Sequence, residues 1–202
     1  MSASGPGTLE AVVRLTRIYT RRGDGGDTSL GDGTGVRKSD RRVVACGEVD
    51  ELNSVIGVAR AQGLGAGGEP MLAQVQNDLF DVGADLCVPG TSDEGRLRVT
   101  DGQVKALEAW CDRVNEDLTD LTSFVLPAGT GGATALHHAR TVCRRAERAV
   151  VDLADHEPVS ASTVAYLNRL SDLLFILARA ENALAGGDVL WAPGGGSAGE
   201  PG

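Results

Sequence analysis

The chain has 202 residues, 42% of them hydrophobic and 3% aromatic, and its 19 Lys+Arg against 28 Asp+Glu leave a formal charge of −9. The length suits one domain, or one and a half, that buries roughly 70% of its unfolded surface. The acid excess argues against a nucleic-acid binder, which needs clustered cations to neutralise phosphates, and the scarcity of aromatics favours a Leu/Val/Ala core on packed helices over a β-sandwich.

From the N-terminus, residues 1–16 read as a flexible lead, 17–191 as one domain, and 192–202, APGGGSAGEPG, as a disordered Gly/Pro-rich tail. The first residues lack an apolar core of about seven residues, and no stretch approaches about 18 apolar residues, so no secretory signal or membrane span is expected. Cys46, Cys87, Cys111 and Cys143 form no CxxC pair and have no His at zinc-finger spacing. They read as small hydrophobes in a reducing cytosol, and the expected location is cytoplasmic.

Residues 20–39 form a long Gly/Asp-rich loop, a length that usually marks function or disorder. Five helices follow. The first spans about 40–62 and stops near Gly63; the second, about 70–86, carries Leu72, Val75, Leu79, Val82 and Leu86 at spacings of three and four. Thr100 and Gln103 give a capping-box start to the third, about 101–118. FVLPAGTGG at 124–132 is an extended connection, broken by Pro127 and its glycines. The fourth helix covers about 132–155. The fifth covers about 160–185 and closes at Gly186-Gly187. The expected fold is all-α, a five-helix bundle.

Polar stripes interrupt these helices. His137, Arg140, Arg144, Glu147 and Arg148 step by three and four along one face of the fourth. Asp50, Asn53 and Ser54 share a face of the first, flanked by Glu51; the fifth adds Asn168, Asp172 and Arg179, with Phe175 among them. Such a stripe is either a solvated face or the wall of a ligand site between helices, and Arg suits phosphate recognition. In the loop, GTGVRKS at 33–39 misses the P-loop pattern by two residues, and Asp24, Asp27 and Asp32 lack EF-hand spacing. What remains is a segment with many N–H donors, the hydroxyls of Thr20, Thr28 and Ser29, and Lys38. It reads either as a disordered surface loop or as an anion nest that wraps a polyphosphate.

Three segments together carry a resemblance: RIYTRRGDGGDTSLGDGTGVRKSDRRVVACGEVDELNS at 17–54, FVLPAGTGGATALHHARTVCRRAERAVV at 124–151, and YLNRLSDLLFILARAEN at 166–182. In this order they resemble the PduO-type ATP:cob(I)alamin adenosyltransferases, the group that includes the mammalian mitochondrial enzyme. The resemblance implies a ferritin-like five-helix bundle assembled as a homotrimer, with active sites between subunits. It implies transfer of the 5′-deoxyadenosyl group of ATP to the cobalt of cob(I)alamin, with Mg²⁺ accompanying ATP. A reductase and an adenosylcobalamin-dependent mutase are the implied partners. The alternative is a non-catalytic carrier that delivers corrinoid to a dependent enzyme.

The resemblance also assigns roles. Thr20, Arg21, Arg22 and Gly23, with Asp24 beside them, match the family's ATP-holding YTKTG segment. Thr28 and Ser29 match its second loop contact, and Lys38 its phosphate-binding lysine. Arg144, Arg145, Glu147 and Arg148 match the nucleotide-contacting RRAER, and Asn168 matches the asparagine of YLNRLSD. Asp50 and Arg140 match a carboxylate–guanidinium pair across the interface beside the corrinoid, with Asn53 near it. Phe124 matches the aromatic closing the corrinoid's lower face, and Trp191 the tail contact. Asp50, Phe124, Arg140 and Arg144 are the expected catalytic residues, and no protein metal ligand is expected. Departures are Gly25 for a frequent lysine, Cys46 for a tyrosine, Ala128 for a glycine, and Trp191-Ala192-Pro193 for WRP.

Overall fold

The computed structural model describes residues 19, 21–91 and 95–194. Thr20, the residues before Tyr19 and the tail from residue 195 lie outside them, so the expected lead, most of the expected tail and the Thr20 assignment have no structural counterpart.

Five helices are present: α1 (Arg41–Arg60), α2 (Gly68–Cys87), α3 (Asp101–Asn115), α4 (Gly131–Ala154) and α5 (Ala161–Ala183). Local chemistry sets their starts. Asp40 accepts from the Arg42 N–H, Thr130 from the Ala133 N–H, and Thr100 and Gln103 cap each other in a full capping box. Four ends differ from expectation by two or three residues: α1 ends at Arg60 rather than about 62, α2 begins at Gly68 rather than about 70, α3 ends at Asn115 rather than about 118, and α5 ends at Ala183 rather than about 185.

Helix α1 packs between α2 and α4, and α5 between α4 and α3. Leu52, Ile56, Leu72, Val75, Leu136, Leu153, Leu167 and Leu170 are fully buried, and one continuous core draws on all five helices. Each is a periodic apolar position, removed from water by its helix's inward stripe. Among the described residues no helix is long and apolar enough to cross a membrane. All four cysteines are free, and burial pushes the Cys46 thiol up to about 11.

The 20–39 segment is not all loop. Strands β1 (Asp27–Ser29) and β2 (Gly35–Arg37) pair antiparallel, with Thr28 opposite Val36. An Arg37–Asp27 ion pair at 3.0 Å joins the ends, and the Thr34 N–H reaches Asp32 Oδ1 at 2.9 Å in the turn. Three-residue strands leave no alternation to read in sequence. The connection before α4 is extended as expected, and it pairs with the chain after α5: Val125 bridges Leu190, and the Trp191 N–H donates to the Phe124 carbonyl at 2.7 Å. Gly129 anchors it with a φ of +114°. A Cβ there would strike Asn182, whose amide holds both neighbours, accepting from the Thr130 N–H and donating to the Ala128 carbonyl.

Candidate functional site

The loop forms a cavity of about 730 Å³ lined by most of its expected residues: Arg21, Arg22, Gly23, Asp24, Thr28, Ser29 and Lys38, with Tyr19 and Asp27. Arg21 sits in left-handed backbone (φ +63°) and stacks its guanidinium over Tyr19 at 5.8 Å. A non-glycine residue there holds strain of about 1 kcal/mol or more, a cost that clusters at ligand sites. Gly23 leaves room for Lys38: a Cβ would stand 2.9 Å from its ammonium. Arg37 is committed to Asp27 and to the Gly25 carbonyl. No carboxylate among the described residues pairs with Arg21, Arg22 or Lys38, so the cavity presents three cations against Asp24.

A second cavity, about 490 Å³, lies along α4 between Arg144, Glu147, Arg148, Asp152, Asp155 and Asn168 of α5. Asn168 donates to Glu147 Oε1 at 2.8 Å, and Arg148 to the Arg144 carbonyl at 3.0 Å. A third, about 290 Å³, is walled by Leu121, Ser123, Phe124, Val125, Arg140, Arg144, Ser171, Asp172 and Phe175. Phe124 is 77% exposed and packs edge-on, at 5.9 Å, against Trp191, which itself does not line the cavity. Arg144 lines both of these cavities. The loop cavity shares no lining residue with either.

Three expected residues stand elsewhere. Arg145 is one position round the helix from Arg144 and turns to α1, where it pairs with Glu48 and Glu51; those carboxylates hold its pKa above the usual guanidinium range. Asn53 faces α2, where its amide donates to the Gln76 carbonyl at 3.1 Å and Gln76 donates back at 3.0 Å. Asp50 is exposed on α1 and makes no bond to Arg140 within one chain. A 100° step per residue is enough to send neighbours in a motif to different faces.

The sequence model described as cobalamin adenosyltransferase matches residues 18–181. The chain belongs to this family. A corrinoid adenosyltransferase of Mycobacterium leprae is 50% identical over 196 residues, covering 91% of this chain and 99% of that protein. One from Bacillus subtilis is 41% identical over 178 residues, covering 86% and 91%. A solved structure of a PduO-type ATP:corrinoid adenosyltransferase variant from Lactobacillus reuteri, complexed with cobalamin and ATP, superposes with a TM-score of 0.82 at 36% identity, covering 87% of this chain and 96% of that one.

For this adenosyltransferase-family chain, sequence reasoning left Ser171, Asp172 and Phe175 without a role, although they follow Asn168 at spacings of three and four. That stripe was the available signal. Leu121 and Ser123 carried none, because they reach the cavity from an irregular segment; Ser123 is placed by its hydroxyl, which donates to the Trp191 carbonyl at 2.9 Å. His137, which opens the polar stripe of α4, is not on a solvated face: it is buried, with the Phe175 ring 6.0 Å away.

Proposed function

We propose that the chain transfers the 5′-deoxyadenosyl group of ATP to the cobalt of cob(I)alamin, giving adenosylcobalamin and triphosphate. The observation that carries this reading is Arg144. Arg144 lines both the Phe124 cavity and the Asn168 cavity, which supports a reading in which one cation serves a corrinoid on one side and a nucleotide on the other.

In the reaction the cobalt electron pair attacks C5′ and becomes the Co–C bond, so Co(I) ends as Co(III). The C5′–O bond breaks in line, and triphosphate leaves with that pair of electrons. No protein base is needed. The protein must hold two large reactants in line and stabilise the charge of the leaving group. Arg144 and Arg148 from α4 and Lys38, Arg21 and Arg22 from the loop suit that charge. Mg²⁺, expected to arrive with ATP, would neutralise triphosphate oxygens when bound. Apolar Phe124 excludes water and a lower axial base from the cobalt; four-coordinate cobalt(II) is then easier to reduce.

The separation of the loop cavity from Arg144 within one chain supports a site completed between subunits, and we take the assembly as a homotrimer. Free cysteines and an oxidation-sensitive substrate suit the cytoplasm, with a reductase upstream and an adenosylcobalamin-dependent mutase downstream. The test is anaerobic absorbance with Mg-ATP and chemically reduced cob(I)alamin. ATP-dependent formation of adenosylcobalamin is the expected outcome. Binding with a shift of cob(II)alamin toward four coordination, but no turnover, would replace the enzyme with a carrier.

A further inference from the structure

Three polar atoms behind the Phe124 cavity have no partner: both ring nitrogens of His137 and Nε of Arg140. His137 is 1% exposed. Arg140 follows it by three residues on the same face of α4. Phe175 of α5 covers both, its ring 6.0 Å from the imidazole and 5.6 Å from the Arg140 guanidinium carbon. Buried polar groups are rarely left unpaired in a native fold, and each that is needs a reason.

Their chemistry is complementary. A neutral imidazole has one acceptor nitrogen and one N–H, whereas the Arg Nε offers only a donor. One Nε–H···N bond therefore satisfies Arg140 and half of His137. The terminal nitrogens of Arg140 are not sealed, and the residue lines the cavity. Burial first, then the Arg140 charge, pushes the His137 pKa down and preserves the acceptor; Asp188, in the irregular chain after α5, opposes them. Asp188 is itself held by Arg179 of α5 at 2.9 Å. Arg140, Asp188 and, through it, Arg179 are thus the charges set around the ring.

We infer that neutral His137 is the positioning residue for Arg140, taking its Nε–H when the guanidinium turns into the cavity to hold the corrinoid. The inference rests on the proposed corrinoid site. Protonation of His137 removes the acceptor and sets two cations side by side, which frees the guanidinium to wander.

The test compares His137→Gln and His137→Leu with wild type. Gln keeps a neutral acceptor and Leu removes it. Losing a hydrogen bond to a charged group predicts that His137→Leu raises the KM for cob(I)alamin about tenfold, with kcat and the KM for ATP changed less than about twofold. His137→Gln stays within about threefold of wild type. In wild type the corrinoid KM climbs as pH falls through the His137 pKa, and in His137→Leu it stays flat there. An unchanged corrinoid KM in His137→Leu, an equal rise in both KM values, or a shared acid limb overturns the role. A readout free of turnover uses ¹⁵N NMR of the Arg140 Nε–H, assigned by its loss in Arg140→Lys, with hydroxocobalamin and ATP as probes. A protected signal that titrates with His137 and vanishes in His137→Leu supports the inference; a signal identical in both proteins overturns it. Wild type that gives the His137-dependent signal but no adenosylcobalamin keeps the positioning role and sinks the reaction.

Discussion

The bundle buries charge in two ways. Toward the end of α2 every buried acid is engaged. Asp85 takes Arg98 at 2.6 Å, the Val99 N–H at 3.0 Å and the Thr163 hydroxyl at 2.9 Å. Asp78 takes the Tyr166 hydroxyl at 3.0 Å, and burial with that acid beside it holds the Tyr166 phenol far above its ordinary range. Arg42 is 2% exposed and spans the Leu86 carbonyl and Glu157. At the Phe124 cavity, by contrast, buried His137 keeps both ring nitrogens, and half-buried Arg140 its Nε, without a partner. The first region closes its polar groups on each other and staples α2 to α3 and α5. The second leaves donors and an acceptor open, the pattern of a surface that awaits another molecule.

Breaking the closed region should have the largest effect. Asp85→Ala strips a buried pair and is expected to cost about 4 kcal/mol, read as a fall in the urea midpoint; a loss under about 1 kcal/mol would make this joint no stronger than a surface pair. Arg144→Ala should do the reverse, leaving the urea midpoint in place while turnover drops about a hundredfold, the usual loss of one charge-stabilising donor. Surviving turnover would remove the nucleotide assignment on α4.

Phe124→Ala sharpens the open side. Adenosylation starting from cob(II)alamin with a reductase is expected to slow about tenfold, roughly 1.4 kcal/mol, and adenosylation of pre-reduced cob(I)alamin to slow less. Equal losses contradict the axial-ligand role. A smaller effect follows from His137. Its folded pKa lies below the ordinary 6.5, so the unfolded chain takes up protons first on acidification. Stability therefore falls as pH drops through 6.5 toward the folded pKa and is level above. His137→Gln should lack that portion of a melting-temperature profile. Least of all, Arg145→Ala should barely move the urea midpoint, since its pairs with Glu48 and Glu51 lie at the surface, and turnover should hold within about twofold. A deep loss of turnover would return Arg145 to the nucleotide.

Much of this was legible in the order of residues. The Leu72–Leu86 series, the Thr100/Gln103 box and the Gly186-Gly187 stop mark helices through local rules, and α2, α3 and α5 lie within a few residues of the expected bounds. The loop cluster from Arg21 to Lys38 was also legible, because neighbours in a short loop stay neighbours in space. The RRAER motif was legible only as a motif. It did not tell that Arg144 faces a cavity while Arg145 binds α1, since that depends on which side of α4 its partners occupy.

Sequence alone determined the five helices, the α3 capping box, the apolar stripes that bury them and the family to which the chain belongs, since each rests on local spacing or on the identity of residues in order. Tertiary structure decided the rest. The β1–β2 hairpin is too short to leave a period. Asn53 became a joint to Gln76 because α2 lies against its face. Trp191 met Phe124 across 67 positions because the chain after α5 folds back onto residues 124–126. Whether a buried polar atom finds a partner is likewise settled only by what packing brings to it, and for His137 and Arg140 packing brought Phe175, which has no hydrogen bond to give.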